Sequence, residues 1–397
     1  MKPLICVAGK NEIALHGLRY FLDHYRDHPV CFIPNAGDSG VDGWQPSFAK
    51  QARQWGFPQV GLADIYDHEN LIFISLEFDT LIKTTLFKSK NLFNFHFSKL
   101  PRYKGMFTSA HPILNGDTET AITLHLIDDG IDTGDIIDQY EVEIAPTDTA
   151  RDLYFKNLKA AQMLFDANAA KLVSGDFDAR PQGMLGSSYY SKHSINYSML
   201  SIDLNRTAFE VHNQFRAFTF REFQMPSFNG WSIIRTVPTT ARSTHKPGKV
   251  VSETQSHFRI ATIDFDLDLY KDYYPRLWAA CEVGDVDTAL RCLPFIDEID
   301  LRNGRGWTAL IISAYHGWHT IVQALLQRGA NPDMANYKGT TPLMYALSSY
   351  EGSRNSLAFE AIAASARGFN KSDHTGRTIF DWIEEKKVPE LMAFLPS

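Results

Sequence analysis

Asn94-Phe95-His96-Phe97-Ser98-Lys99-Leu100-Pro101-Arg102-Tyr103-Lys104-Gly105, followed downstream by Asp129-Gly130-Ile131-Asp132-Thr133-Gly134-Asp135, is the stretch on which the reading of this chain turns. It supplies an amide, an imidazole and a carboxylate. An imidazole flanked by an orienting carboxylate and by an amide that can polarise a carbonyl oxygen is equipment for acyl transfer to an amine. No serine or cysteine nucleophile is required if the amine attacks directly. Taken singly the parts say little: one histidine among 14 is usually a packing or surface residue, and Asp-Gly-Ile-Asp reads equally well as a turn. The weight lies in the ordered combination of Asn94, His96, Ser98, Leu100-Pro101, Gly105 and Asp132.

Outward from this stretch, short apolar runs at Leu4-Val7, Val30-Pro34, Leu71-Leu76 and Ala121-Ile127 alternate with helix-like segments at Glu12-His24 and Arg151-Leu172. The alternation predicts an α/β, Rossmann-like domain over residues 1–200 with a largely parallel sheet. Ligands then belong at the carboxyl ends of the strands, where Gly9-Lys10-Asn11 and the His96 motif meet. Residues 201–268 have a different texture: aromatic residues crowd around Arg216 and Arg221, and Trp231-Val237 and Gly248-Leu269 alternate as antiparallel strands do. A small β-rich subdomain is expected there, with Thr239-Pro247 as a polar turn.

From 269 to 397 the period changes again. Gly306-Trp307-Thr308-Ala309-Leu310 and Gly339-Thr340-Thr341-Pro342-Leu343 lie 33 residues apart, and Gly317 with Ile321 to Asp333 fills the interval in ankyrin style. A weaker copy starts at Gly376, and Leu277-Trp278-Ala279-Ala280 with Gly284-Asp285 reads as the second half of a first repeat. Each copy supplies two helices that cannot bury their apolar faces alone.

Composition bounds the rest. The 397 residues are 44% hydrophobic with a formal charge of −7, which argues against a general nucleic-acid surface but leaves room for a local basic pocket. Cys6, Cys31, Cys281 and Cys292 form no CxxC pair and no metal-type spacing. Reduced thiols in a cytoplasmic protein are expected, with no metal, no nucleic-acid partner and no membrane span. The N-terminal Met1-Lys10 run is too short and too soon interrupted by lysine for a signal peptide.

Together the motifs resemble the folate-dependent formyltransferase superfamily, whose signatures read approximately Asn-x-His-x-Ser-x-Leu-Pro-x-x-x-Gly and Asp-x-Gly-x-Asp-x-Gly. The resemblance spans roughly residues 1 to 265 and departs at Phe97, where proline is common. It implies that Asn94 hydrogen-bonds the formyl oxygen, that His96 assists the tetrahedral intermediate and proton transfer, and that Asp132 orients or charge-stabilises His96. It also implies N10-formyltetrahydrofolate as co-substrate, with Phe73, Ser75, Leu76, Phe78, Gly105 and Asp128 on the folate side. Gly9-Lys10-Asn11 is not a nicotinamide fingerprint.

Gly9 to Ala14, Leu81-Ile82-Lys83 and Asn213 to Phe218 are similar to the branch that formylates amino groups on nucleotide-linked dideoxy sugars. A dTDP-linked amino-dideoxyhexose is the implied acceptor, with Lys10, Asn11, Lys83 and Arg216 toward its pyrophosphate and sugar and Phe220 or Phe223 stacking on thymine. The ankyrin tail resembles that of the enzymes acting on dTDP-3-amino-3,6-dideoxyglucose for surface polysaccharides, and a homodimer is implied by the same resemblance. A 4-amino sugar, methionyl-tRNA, hydrolysis of the folate and a protein-binding ankyrin scaffold are the competing readings. In the array, Trp307 stacking on a base and Arg305 meeting phosphate form a candidate auxiliary site, against packing or a protein partner as the alternatives.

Overall fold

Leu4–Gly9 is all but buried and flat in pattern, so it forms the central strand β1 rather than an edge. The structure, a computed structural model, describes residues 2–396. Contacts divide the chain into two units, Met1–Lys271 and Asp272–Ser397.

In the first unit the elements run β1, α1 (Asn11–His24), β2 (Val30–Pro34), α2 (Phe48–Gln54), β3 (Leu71–Leu76), β4 (Leu92–His96), β5 (Lys104–Gly105), α3 (His111–Leu114), β6 (Glu119–Leu126), β7 (Ile136–Glu143), α4 (Ala150–Ser174), β8 (Tyr189–Tyr190), α5 (Ala208–Phe218), β9 (Ser227–Phe228), β10 (Trp231–Arg242), β11 (Val250–Glu253), β12 (His257–Ile260) and β13 (Phe265–Lys271). The main sheet has the order β2-β1-β3-β4-β6-β7. Its first four strands are parallel and its last two antiparallel, so the largely parallel sheet expected from the alternation becomes a mixed one. A hairpin needs only a short loop to reverse direction, whereas a further parallel strand would need a crossover helix.

One face of this sheet packs on α1 and α4 through Ile13, Leu18, Phe21, Leu164 and Phe165. Gly17 permits the close approach, since a Cβ there would lie 2.7 Å from the Leu76 side chain. The long α4 starts at a capping box of Thr149 and Asp152 and stops at Gly175 in the left-handed region. The other face buries Cys6, Cys31, Phe73 and Leu92 beneath Ile65 and Phe87.

Residues 201–271 build a separate core around Val211, Phe215, Ile233, Phe258, Ile260, Leu267 and Leu269, under a sheet ordered β11-β12-β13-β10-β9. Strand β10 continues to Arg242, so the Thr239–Arg242 part of the expected polar turn is strand instead. Its register against β13 shifts between Pro238 and Arg242, which accommodates a proline without a ladder donor.

The second unit contains α6 (Tyr274–Val283), α7 (Val286–Cys292), α8 (Ala309–His316), α9 (His319–Gln327), α10 (Pro342–Ser353), α11 (Leu357–Ser365) and α12 (Ile379–Lys386). The first repeat thus has both helices, not only its second half. Three turns repeat one device: the side-chain oxygen of Asn303, Asn336 or Asp373 accepts two backbone N–H groups of the glycine turn that follows. Thr308, Thr341 and Thr378 then cap the next helix. Among the described residues no helix is long and apolar enough to cross a membrane.

His111 is buried with its ring stacked on Tyr190 at 3.7 Å and its Nε2 bonded to Ser194 at 2.9 Å. Burial pulls its pKa from 6.5 down to about 4. The unfolded chain therefore binds this proton more readily, and the contribution to stability is full above the unfolded value and lost as pH falls toward the folded one. Urea melts should show stability falling between about pH 6.5 and pH 4, and His111→Phe should flatten that slope.

Candidate active site

Strand β4 ends on the polar residues of the motif because Phe93 and Phe95 face the α1/α4 core, which turns Asn94 to the opposite face. Asn94 lies across from His125 of β6. The loop 127–135 then returns over this face and brings Asp132 to both. Gly134 is what lets it do so: a Cβ there would sit 1.8 Å from the Leu126 carbonyl oxygen.

Asp132, itself left-handed at φ 54°, is the hub. Its Oδ2 accepts the Gly105 N–H at 2.8 Å, and its Oδ1 accepts Asn94 Nδ2–H at 3.3 Å and lies 3.4 Å from His96 Nδ1. Burial works to raise the Asp132 pKa but is outweighed by His96, His125 and the Gly105 N–H, which together bring it to about 2. The carboxylate is therefore a permanent negative charge beside the imidazole.

His96 donates Nε2–H to the Tyr103 carbonyl at 2.9 Å. A carbonyl can only accept, so in the neutral ring Nδ1 carries the lone pair, and it is Nδ1 that faces Asp132. Burial lowers the His96 pKa, opposed by Asp132 and the Tyr103 carbonyl. The result is a neutral base whose protonated form meets a waiting carboxylate.

His125 was not singled out by the sequence. Its Nδ1 donates to the Leu126 carbonyl at 2.7 Å, leaving Nε2 to accept from Asn94 Nδ2 at 3.1 Å. This fixes the amide with its nitrogen inward and its donors at the centre of the site. Tyr103 is held by Asp117, Asn115 and Arg102, and its hydroxyl is pushed by burial up to about 12.

A pocket of about 480 Å³ opens at the carboxyl ends of β1 and β3, lined by Lys10, Asn11, Glu77, Phe220 and Phe223 and by Trp44, Phe107, Tyr154 and Tyr197. Trp44 meets Phe220 and Phe223 edge-on and Tyr154 at a tilt, making an aromatic wall. Phe107 in its lining follows two residues after Gly105, the anchor of Asp132. A second, more polar pocket of about 330 Å³ shares Lys10, Asn11 and Trp44. Of the expected substrate residues, Lys10, Asn11, Phe220 and Phe223 are brought together here.

Arg216 and Lys83 are not. Arg216 is buried, with its guanidinium donating to the Ala145 and Asp148 carbonyls and to Asn213, so it ties α5 to the 145–148 loop. Lys83 stands exposed ahead of a short turn. Phe73 is fully buried in the second-face core, so its side chain meets no ligand. The Leu76 carbonyl accepts the Lys10 N–H, while Ser75 is buried and Phe78 half-buried. Asp128 holds its own loop by accepting from Gly130 N–H and Thr133. In the second unit Arg305 lies 4.8 Å over Trp307 and pairs with Glu282, and Trp307 also contacts Tyr315 and Tyr345. Among the described residues no cluster of histidine, cysteine or carboxylate side chains could hold a metal.

Trp44, Tyr154, Tyr197 and His125 left no signal beyond their residue type, because each reaches the site from a distant segment. An oriented amide donor, a neutral base and a fixed carboxylate with no nucleophile define the class: an enzyme that moves a small acyl group onto an incoming amine. Comparison with known proteins agrees. Residues 73–167 match the formyl transferase family model and residues 277–363 a model of three ankyrin repeats. WlaRD, a sugar 3N-formyl transferase solved in the presence of dTDP and 5-N-formyl-THF, is 43% identical, with a TM-score of 0.64 over 68% of this chain and 98% of that one. The N-formyltransferase of Helicobacter canadensis, in complex with folinic acid and dTDP-3-aminofucose, is also 43% identical, with a TM-score of 0.64 over 68% of this chain and 100% of its own. Methionyl-tRNA formyltransferase of Coxiella burnetii is 28% identical over 303 residues, 72% of this chain and 95% of that protein. The chain belongs to the sugar N-formyltransferases and carries an ankyrin array C-terminal in sequence to the catalytic unit.

A Cβ at position 105 would lie 2.2 Å from the Tyr190 carbonyl oxygen at φ +89°. Gly105→Ala should cost about 2 kcal/mol or more in denaturant melts, by forcing apart β5 and β8.

Proposed function

We propose that the protein transfers the formyl group of N10-formyltetrahydrofolate to the amino group of a dTDP-linked amino-dideoxyhexose, with dTDP-3-amino-3,6-dideoxyglucose as the acceptor. The observation that carries this reading is the pairing of the Asn94–His96–Asp132 centre with an aromatic pocket that also holds Lys10. The co-substrate supplies an activated one-carbon acyl group. Asn94 turns one N–H from His125 or Asp132 to the formyl oxygen as that oxygen gains negative charge, an interaction worth about 3–4 kcal/mol in comparable acyl-transfer sites. His96 takes a proton at Nδ1 from the attacking nitrogen, and Asp132 stabilises the imidazolium so formed. The aromatic wall of Trp44, Phe220 and Phe223 offers a stacking surface for thymine, and Lys10 a cation for the diphosphate. The two relatives crystallised with dTDP or dTDP-3-aminofucose, both 43% identical, support a 3-amino acceptor over a 4-amino one. A role in surface polysaccharide synthesis is part of the same proposal.

Mass spectrometry with N10-formyltetrahydrofolate and a panel of dTDP- and UDP-linked 3-amino and 4-amino sugars tests the reading. The expected product is one dTDP-3-amino sugar heavier by one CO. Folate turnover without a sugar product would point to hydrolysis, and formylation of methionyl-tRNA to the competing reading. His96→Asn and Asp132→Asn should each lower kcat by about 10³-fold or more with folate binding retained. Near-wild-type turnover in either variant would remove that residue from the mechanism.

A second reading concerns the array, where Trp307, Tyr315 and Tyr345 form an aromatic cluster beside Arg305. It is proposed as an auxiliary nucleotide site, in which phosphate would displace Glu282 from Arg305. Calorimetry of the full chain with dTDP should then report a second site that is lost in Trp307→Ala.

A further inference from the structure

The pocket contains a charged group that neither the triad nor the fold accounts for. Glu77 directly follows β3, whose last residue Leu76 pairs with Phe95 of β4. Glu77 and His96 thus stand at the carboxyl ends of neighbouring parallel strands. Glu77 has φ 58°, and Asn11, which it touches, has φ 60°. Side chains other than glycine adopt this region at a cost, and such residues gather at functional sites.

The carboxylate accepts the Tyr154 hydroxyl at 3.0 and 3.2 Å and the Asn11 amide at 3.5 Å. A carboxylate has about four acceptor positions, so part of its capacity remains turned to the pocket. No cation among the described residues pairs with it; Lys10 acts on it only through space. Burial raises the Glu77 pKa, opposed by Lys10, Tyr154 and Asn11. The other ionisable group close by is Glu12, which acts on Tyr154.

Proton balance says what such a group is for. An amine on a sugar titrates near about pH 8, as an α-amino group does, so the acceptor arrives largely as ammonium. Conversion of R–NH3+ and the N-formyl donor into R–NH–CHO and the donor's N–H removes two protons from the acceptor nitrogen and releases one to solvent. His96 can carry only the proton that passes to the donor nitrogen. The other must leave before attack, because ammonium has no lone pair.

We infer that Glu77 is a second catalytic residue, whose carboxylate docks the acceptor ammonium in the pocket and takes one proton from it. An N–H bond breaks as the carboxyl O–H forms, and the proton then passes to solvent through the open pocket. The inference rests on the proposed acceptor chemistry. It differs from a neutral reading in which Glu77 merely accepts a hydrogen bond from a sugar hydroxyl.

The test is the pH profile of kcat/KM for the wild type and Glu77→Gln with the acceptor found active in the panel. The variant should lose on the order of 10²-fold near pH 7, and the loss should shrink toward pH 9, where the amine arrives neutral. A variant equal to wild type at both pH values, or impaired equally at both, overturns the inference. Should the variant fail to fold, the wild type decides by calorimetry against two ligands, the dTDP-amino sugar and its hydroxyl counterpart. The amine should bind about 10-fold more tightly at pH 6.5 and lose that advantage by pH 9; an advantage independent of pH overturns the inference. A wild type inactive on every dTDP-amino sugar would overturn the parent reading, whereas an active wild type with a pH-independent variant overturns only the role of Glu77.

Discussion

The site depends on one carboxylate. Asp132 binds the Gly105 N–H through one oxygen and faces Asn94 and His96 with the other, so β4, β5 and the 127–135 loop share a single anchor. Around it every donor has a defined direction: His96 gives its Nε2–H to Tyr103, His125 gives its Nδ1–H to Leu126, and the Asn94 amide is left with its nitrogen facing the centre. Such a constellation is largely preorganised, which is the chief source of electrostatic catalysis; the one exchange it requires is that an Asn94 N–H leave His125 or Asp132 for the acyl oxygen.

Backbone conformation carries the cost of this arrangement. Asn11, Glu77, Tyr103, Phe107 and Asp132 all have positive φ without being glycine, and all lie at the triad or its pocket. Strain of this kind persists only where the surroundings over-determine it. Here they do, through the capped α4, the two-sided sheet and the close glycine contacts at 105 and 134. The pocket at the ends of β1 and β3 is aromatic on one wall and polar on the other, which suits a ligand with a flat base at one end and a hydroxylated sugar at the other.

The array has its own internal logic. The same asparagine or aspartate turn and the same threonine cap recur before α8, α10 and α12, and this local economy is how a solenoid builds a core from pieces that cannot fold singly. Arg305 is paired with Glu282 and laid over Trp307 while its side chain stays 57% exposed, so an incoming anion would compete with Glu282 for it.

Local pattern by itself determined a good deal: the α/β alternation, the ankyrin period, and the set of Asn94, His96 and Asp132. Each is written in short-range spacing, and apolar periodicity follows directly from helix and strand geometry. Lys10, Asn11, Phe220 and Phe223 were legible as ligand candidates by residue type. What the sequence could not distinguish was a buried arginine serving carbonyls from one serving phosphate, and Arg216 proved to be the former. Only the tertiary structure decided the antiparallel turn of β6 and β7, the partnership of His125 with Asn94, and the meeting of Trp44, Glu77 and Tyr154 in one pocket. The reason is physical: these contacts join residues separated by tens to more than a hundred positions, and their directions are set by packing of whole elements, which no local spacing encodes.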